Sequence, residues 1–153
     1  MNTFITKVKL KDGNVEIRFK EDLGVRTEKE SIFKCDEEVH SDFSGALIQL
    51  VPIVYDILQL PPEWRAGLMY ITGVSFSNSE STDVEGAVIT GTVGLDTSTS
   101  PFCFNTPHLP FGQYSESGNS PLMKDSAIQK LERLKEEAVA YMEGKRAQLR
   151  LEI

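Results

Sequence analysis

Residues 69–111 read MYITGVSFSNSESTDVEGAVITGTVGLDTSTSPFCFNTPHLPF. Tyr70, Thr72, Val74 and Phe76 alternate with Met69, Ile71, Gly73 and Ser75. Ala87, Ile89, Gly91 and Val93 alternate in the same way with Val88, Thr90 and Thr92. A period of two puts successive side chains on opposite faces, which marks strands. Polar, turn-forming stretches follow each run, at 78–83 and 96–100, and Pro101 to Asn105 makes a short third strand. The stretch therefore predicts a three-stranded antiparallel meander. Ile-Thr-Gly occurs at 71–73 and again 18 residues on, at 89–91, but nothing else recurs, so this is an echo between paired strands and not a solenoid repeat. Glycine weakens a strand interior, so Gly73 and Gly91 predict a bulge or a close backbone approach.

The N-terminus predicts a hairpin. Phe4, Thr6, Val8 and Leu10 form one face of its first strand, with Ile5, Lys7, Lys9 and Lys11 on the other. Asp12-Gly13 is a preferred two-residue turn. The return strand points Val15, Ile17 and Phe19 inward and Glu16, Arg18 and Lys20 outward. A polar loop over 21–30 leads to a third strand over Ser31 to Cys35. Ser41 or Asp42 caps a helix whose broad apolar face carries Phe43, Ala46, Leu47, Leu50, Val54, Ile57 and Leu58. Ile48, Val51 and Ile53 make it apolar nearly all round, so it should be buried on several sides, under a sheet or between subunits. Pro52 should kink it, and Pro61-Pro62 ends it. Residues 112–120 read as a loop. A last helix starts near Ser120-Pro121 or at Ser126, with Ile128, Leu131, Leu134, Ala138, Tyr141 and Met142 as its stripe. Gly144 ends it, and Leu149, Leu151 and Ile153 alternate as a short strand would. The order ββ(β)-α-βββ-α predicts one α+β domain over residues 1–153, an antiparallel sheet carrying two main helices on one face.

A chain of 153 residues with 40% hydrophobic and 25% charged residues has enough apolar material for an ordinary core. Its net charge is −7 and its pI about 4.9. That argues against non-specific binding of duplex DNA, which requires phosphate neutralisation by Lys and Arg. It leaves room for a small phosphate-bearing ligand on a local basic patch. Lys7, Lys9, Lys11, Arg18 and Lys20 offer such a patch on one side of the hairpin, interrupted only by Glu16. A solvated sheet face is the plainer reading. No signal peptide and no bilayer-spanning run is read, so a cytoplasmic location is expected.

Each cysteine precedes a histidine by five residues, as Cys35 with His40 and Cys103 with His108. Two Cys and two His suit zinc in principle. Residues i and i+5 on a strand face opposite sides, however, and the spacing fits no usual zinc pattern. No metal or cofactor is expected; buried strand cysteines and surface histidines are, with free thiols favoured over one disulfide. There is no P-loop, GxGxxG, HExxH or nucleophile elbow, so a non-enzymatic protein is expected. The densest set of ligand-binding groups is Phe102, Phe104, Asn105, Thr106, His108, Phe111 and Tyr114, joined by Trp64 and Arg65. Aromatic planes stack on bases and fork-shaped donors meet phosphates. A loop packed by its own aromatics is the equal alternative.

The segments Ile71-Thr72-Gly73-Val74-Ser75, Gly86-Ala87-Val88-Ile89-Thr90-Gly91 and Asn105-Thr106-Pro107, followed by a charged helix, resemble a widespread family of small phage- and prophage-encoded proteins. The family's phrasing is similar to V-T-G-x-S-I, G-V-x-I-x-G and L-N-x-N-T-P. The basic hairpin and apolar middle helix fit as well, so the resemblance covers nearly the whole chain, although its motifs are structural and not catalytic. It implies a sponge of the anti-CBASS-like kind, which sequesters a cyclic nucleotide signal and so inhibits antiphage defence in the bacterial host cell. On that implication Trp64, Phe111 or Tyr114 would stack on bases and Arg65 or Lys124 would meet phosphate. Asn105, Thr106 and His108 would read base or ribose edges beside Phe104. A homo-oligomer would cover the apolar helix. Phe102-Cys103-Phe104 departs from the more polar residues expected before Asn105, and the His108-Leu109-Pro110-Phe111 tail is local to this chain. The alternative function is a phage replication or recombination accessory protein that contacts single-stranded DNA or a partner enzyme through the basic hairpin. A virion component is a third class, without a positive sign.

Overall fold

The computed structural model describes residues 3–22, 28–65, 67–78, 85–110 and 125–146. The expected loop over 112–120 and the expected strand over 149–153 lie outside the described residues, as does most of the loop after Asn78. The chain is an α+β fold. Strands β1 (Thr3–Lys11), β2 (Asn14–Asp22) and β3 (Glu28–Cys35) precede helices α1 (Ser41–Ile48) and α2 (Val51–Ile57). Strands β4 (Met69–Asn78), β5 (Glu85–Val93), β6 (Phe102–Asn105) and β7 (Leu109–Pro110) follow, then helix α3 (Asp125–Met142). The sheet is antiparallel with strand order β3-β2-β1-β4-β5-β6, and β7 also pairs with β5. The hairpin and the meander fuse through β1 and β4, where Lys7, Val8 and Lys9 pair with Ser75, Val74 and Gly73.

Asp12 (φ 54°) and Gly13 (φ 80°) make the expected turn, with both central residues left-handed. The return strand behaves as the alternation requires, burying Val15 and Ile17. The first strand does not. A β-bulge at Thr6 breaks the register between Ile5 and Lys7, so Ile5 and Val8 face the core and Phe4 is 56% exposed. A second bulge at Thr72 does the same in β4: Met69 and Ile71 face inward before it, Val74 and Phe76 after it. Each bulge adds one residue to one strand and shifts the inside–outside phase by one. The uninterrupted faces read from the sequence are corrected at these two points.

Gly73 and Gly91 mark close approaches, as expected. A Cβ on Gly73 would lie 2.8 Å from the Val8 carbonyl oxygen, and one on Gly91 would lie 2.5 Å from that of Tyr70.

The apolar middle segment is two short helices and not one kinked helix. The first ends at Ile48, and Pro52 falls in the opening turn of the second, where its missing N–H has no intrahelical acceptor to lose. The N-cap is His40, not Ser41 or Asp42: its Nδ1 accepts from the Asp42 N–H at 3.0 Å. Burial is also one-sided, since Phe43, Ala46, Leu47, Leu50, Ile53 and Val54 are buried while Ile48 is 67% exposed. The last helix buries Ala127, Leu131, Leu134, Ala138 and Tyr141 in the same core as the inner face of the sheet. Among the described residues, no helix is long and apolar enough to cross a membrane.

Beyond α3 the chain is tied back to α1. Lys145 Nζ donates to Asp42 Oδ2 at 2.9 Å and to Glu137 Oε1 at 2.7 Å. The hydrogen bond from Lys145 is the main cause holding the Asp42 carboxyl below its ordinary 3.8. The bond to Glu137, then that to Asp42, holds the Lys145 ammonium above its ordinary 10.5. A carboxyl with a depressed folded pKa contributes stability above its unfolded value, and loses it as pH falls through the folded one. A raised lysine contributes below its unfolded value and loses it as pH rises through the folded one. Asp42→Asn should therefore lower the melting temperature at pH 7. The gap to the parent protein should close as pH drops below 3.8. Thermal melts across pH would check this, and a gap independent of pH would contradict the linkage.

Candidate functional site: the uncovered basic face of the sheet

All three helices lie on one face of the sheet, and among the described residues nothing covers the opposite face. The register sets out what it carries. Lys34, Glu16 and Lys9 lie side by side across β3, β2 and β1, and the row continues through Gly73 and Thr90 to Asn105. The next row is Ile32, Arg18, Lys7, Ser75 and Val88. Lys20 sits beside Phe4 at one end, and Lys11 closes the hairpin at the other.

Glu16 is the carboxylate around which ion pairing on this face gathers, 3.3 Å from Arg18 and 3.7 Å from Lys34. Lys7, Lys9, Lys11 and Lys20 have no ion pair among the described residues. At the hairpin tip, Lys9, Lys11 and Lys34 converge with the carboxylates of Asp12, Glu16 and Asp36 and with Asn14 on a cleft of about 700 Å³. That volume falls within the usual range for small-molecule sites. The basic hairpin was legible in the sequence. Lys34 was not placed in it, because the pairing of β3 with β2 brings it there.

The residues singled out in the sequence are not gathered into one site. Arg65 lies in a turn with φ 47°. Its Nη1 donates to the Gly94 carbonyl at 3.2 Å, and its Nη2 is 3.5 Å from Asp96 Oδ2. Its guanidinium thus braces the α2–β4 turn against the end of β5. The Trp64 carbonyl accepts from the Tyr55 hydroxyl. Asn105 Oδ1 accepts from Thr90 Oγ1 at 2.7 Å. Thr106 is buried; its N–H donates to the Ile89 carbonyl, and its Oγ1 accepts from the Ile89 N–H, both at 2.9 Å. The Thr106 side chain thus stands in for a strand carbonyl where β6 leaves the sheet. Phe104 is buried with its ring over Gly91, on the helix side. His108 is exposed next to β7. Leu109 pairs with Ala87 while Arg65 binds Gly94, so the two groups lie roughly 23 Å apart along β5 at ~3.3 Å per residue. Phe111, Tyr114 and Lys124 lie outside the described residues.

A second hollow of about 640 Å³ runs along α2, lined by Val51, Pro52, Tyr55, Asp56, Leu60 and Pro62. It is mainly apolar, and among the described residues no cation lines it to receive a phosphate. Neither cysteine is buried as expected. Cys103 is exposed on β6, and Cys35 is half-buried beside Glu37, 3.7 Å from Arg146 Nη2. Among the described residues no three His, Cys, Asp or Glu side chains are grouped to hold a metal ion.

Comparison with protein-family models, curated proteins and solved structures finds no match for the chain.

Proposed function

We propose that the protein is a non-enzymatic binder of a small phosphate-bearing ligand, a cyclic nucleotide, which it sequesters from host antiphage defence. The observation that carries this reading is the cleft at the hairpin tip, where Lys9 and Lys11, without an ion pair among the described residues, and Lys34, 3.7 Å from Glu16, set three ammonium groups against the carboxylates of Asp12, Glu16 and Asp36. Lysine is a point charge with three donors, suited to phosphate oxygens approached from several directions. Asn14 adds an amide donor and acceptor for a base or ribose edge. The class of ligand and the link to defence rest on the resemblance described above. The phosphate contacts assigned there to Arg65 pass in this reading to the hairpin lysines, because Arg65 is already engaged with Gly94 and Asp96. A homo-oligomer belongs to the same proposal, supported by the exposure of Ile48 beside the helix break.

A thermal-shift panel of cyclic di- and trinucleotides tests it. A member present at 100 times its dissociation constant should stabilise the protein by about 2.7 kcal/mol. Lys11→Gln with Lys34→Gln should abolish the shift while leaving the unliganded melting temperature close to the parent's, since both side chains project into solvent and no like charges are brought together. The ligand should be recovered unchanged after heating. Recovery of an altered ligand would mean an enzyme, and no shift with any member would end the proposal.

A further inference from the structure

We propose that the uncovered face, beyond the cleft at its tip, is a binding surface for single-stranded nucleic acid. Charge favours an anionic partner here. Lys7, Lys9, Lys11, Arg18, Lys20 and Lys34 share the face with Glu16, Asp22, Glu28 and Glu30, but these carboxylates all lie on β2 and β3, and β1 presents Lys7, Lys9 and Lys11 without one. The chain as a whole is at −7, so the cations are segregated here and are not a general property of the protein. With Arg18 and Lys34 engaged by Glu16, four lysines remain for an external anion.

Two exposed rings flank the lysines. Phe4 and Tyr70, 56% and 62% exposed, stand at opposite ends of this face. Phe4 is put outside by the Thr6 bulge, and Tyr70 lies opposite Thr92 on the outer side of β4. Between them the floor is low, made by Gly73, Ser75 and Thr90. A strand laid from Phe4 past Lys7 and Lys9 to Tyr70 would meet cations midway and an aromatic plane at each end. Aromatic planes beside a cationic track bind unpaired bases and their backbone without regard to sequence. A duplex hides its base faces and would use the lysines alone. An acidic protein would use the lysines and gain nothing from the rings. The observations therefore favour a single strand.

The test is fluorescence anisotropy with an oligothymidylate of about 12 nucleotides, within the range single folds cover, across a salt series. Four phosphate contacts predict that log K falls with log salt at a slope of about −3. Lys7→Gln and Lys20→Gln should each reduce that slope by about 0.7. Phe4→Ala and Tyr70→Ala should each weaken binding about tenfold, within the range for a lost base stack, and leave the slope unchanged. All four side chains are outside the core cluster, and matching urea melts would verify that the variants fold. A slope near zero, no effect of either aromatic variant, or equal competition by the duplex of the same sequence would each overturn the proposal. Phe4 and Lys20 lie roughly 23 Å along β1 from the hairpin tip at ~3.3 Å per residue. Phe4→Ala and Lys20→Gln should therefore preserve any thermal shift from a cyclic nucleotide, so the two readings fail or stand separately.

Discussion

Tyr141→Ala is expected to destabilise the protein by about 4 kcal/mol, in the range for aromatic truncation in a core. Tyr141 is 1% exposed near the end of α3. Its ring meets Phe33 of β3 edge-on at 6.0 Å and Phe43 of α1 at 5.7 Å. Its hydroxyl donates to the Glu37 carbonyl at 2.7 Å. The Arg146 guanidinium lies 3.6 Å above the ring centroid and donates to the Tyr141 carbonyl. One side chain thus joins the β3 end of the sheet, the first helix and the segment after the last helix. Burial is the largest of the causes that push its hydroxyl far above the ordinary tyrosine range, and it stays a neutral donor at physiological pH. Tyr141→Phe keeps the ring and removes only that donor, so it should cost about 1 kcal/mol. Urea unfolding of the pair would separate packing from hydrogen bonding. Equal losses in the two variants would show that the hydroxyl, and not the ring, carries the contribution. Against a total stability of roughly 5–15 kcal/mol that loss is a large share, so the alanine variant should melt well below the parent protein.

Gly91→Ala is expected to cost about 3 kcal/mol, at the upper end of ordinary overpacking. The added methyl would sit 2.5 Å from the Tyr70 carbonyl oxygen and 2.7 Å from Phe104 Cζ. These two clashes differ in kind. The Phe104 ring can rotate or be removed, whereas the Tyr70 carbonyl belongs to the β4–β5 ladder beside the Thr72 bulge. Phe104→Ala in the Gly91→Ala background should therefore relieve little of the loss, because the backbone clash remains and a core side chain has been deleted. Full recovery in the double variant would show that the ring alone dictates glycine here. Equilibrium unfolding of the three variants closes the cycle.

Much of the architecture could be read directly. The period of two along 69–93, the Asp12-Gly13 turn and the apolar spacing of the last helix all reflect interactions between residues close in sequence. The two bulges could not be read. Thr6 and Thr72 look like ordinary alternating residues, and only pairing with β2 and β5 leaves one residue over on each strand. The helix break is an intermediate case: Pro52 announced an irregularity, but its position in the first turn of α2 moved the break to Gln49 and Leu50.

The candidate site divides in the same way. The basic hairpin was legible because charge alternates along one strand. The apparent pocket of Arg65, Asn105 and Thr106 was not a gathering of unengaged groups, because the Arg65 guanidinium, the Asn105 amide oxygen and the Thr106 hydroxyl each found a partner distant in sequence. Arg65 is matched with Gly94 and Asp96, Asn105 with Thr90, and Thr106 with Ile89. A polar residue type states what a side chain can bond to, not whether folding has already used that capacity. By itself, then, the sequence determined the order of strands and helices and the sign of the charge on the hairpin, because periodicity, turns and charge are local. Only the tertiary structure decided which side chains face outward past each bulge, how Lys34 joins the hairpin lysines, and which polar groups remain open to a ligand. Those depend on strand register and on contacts between residues far apart in the chain.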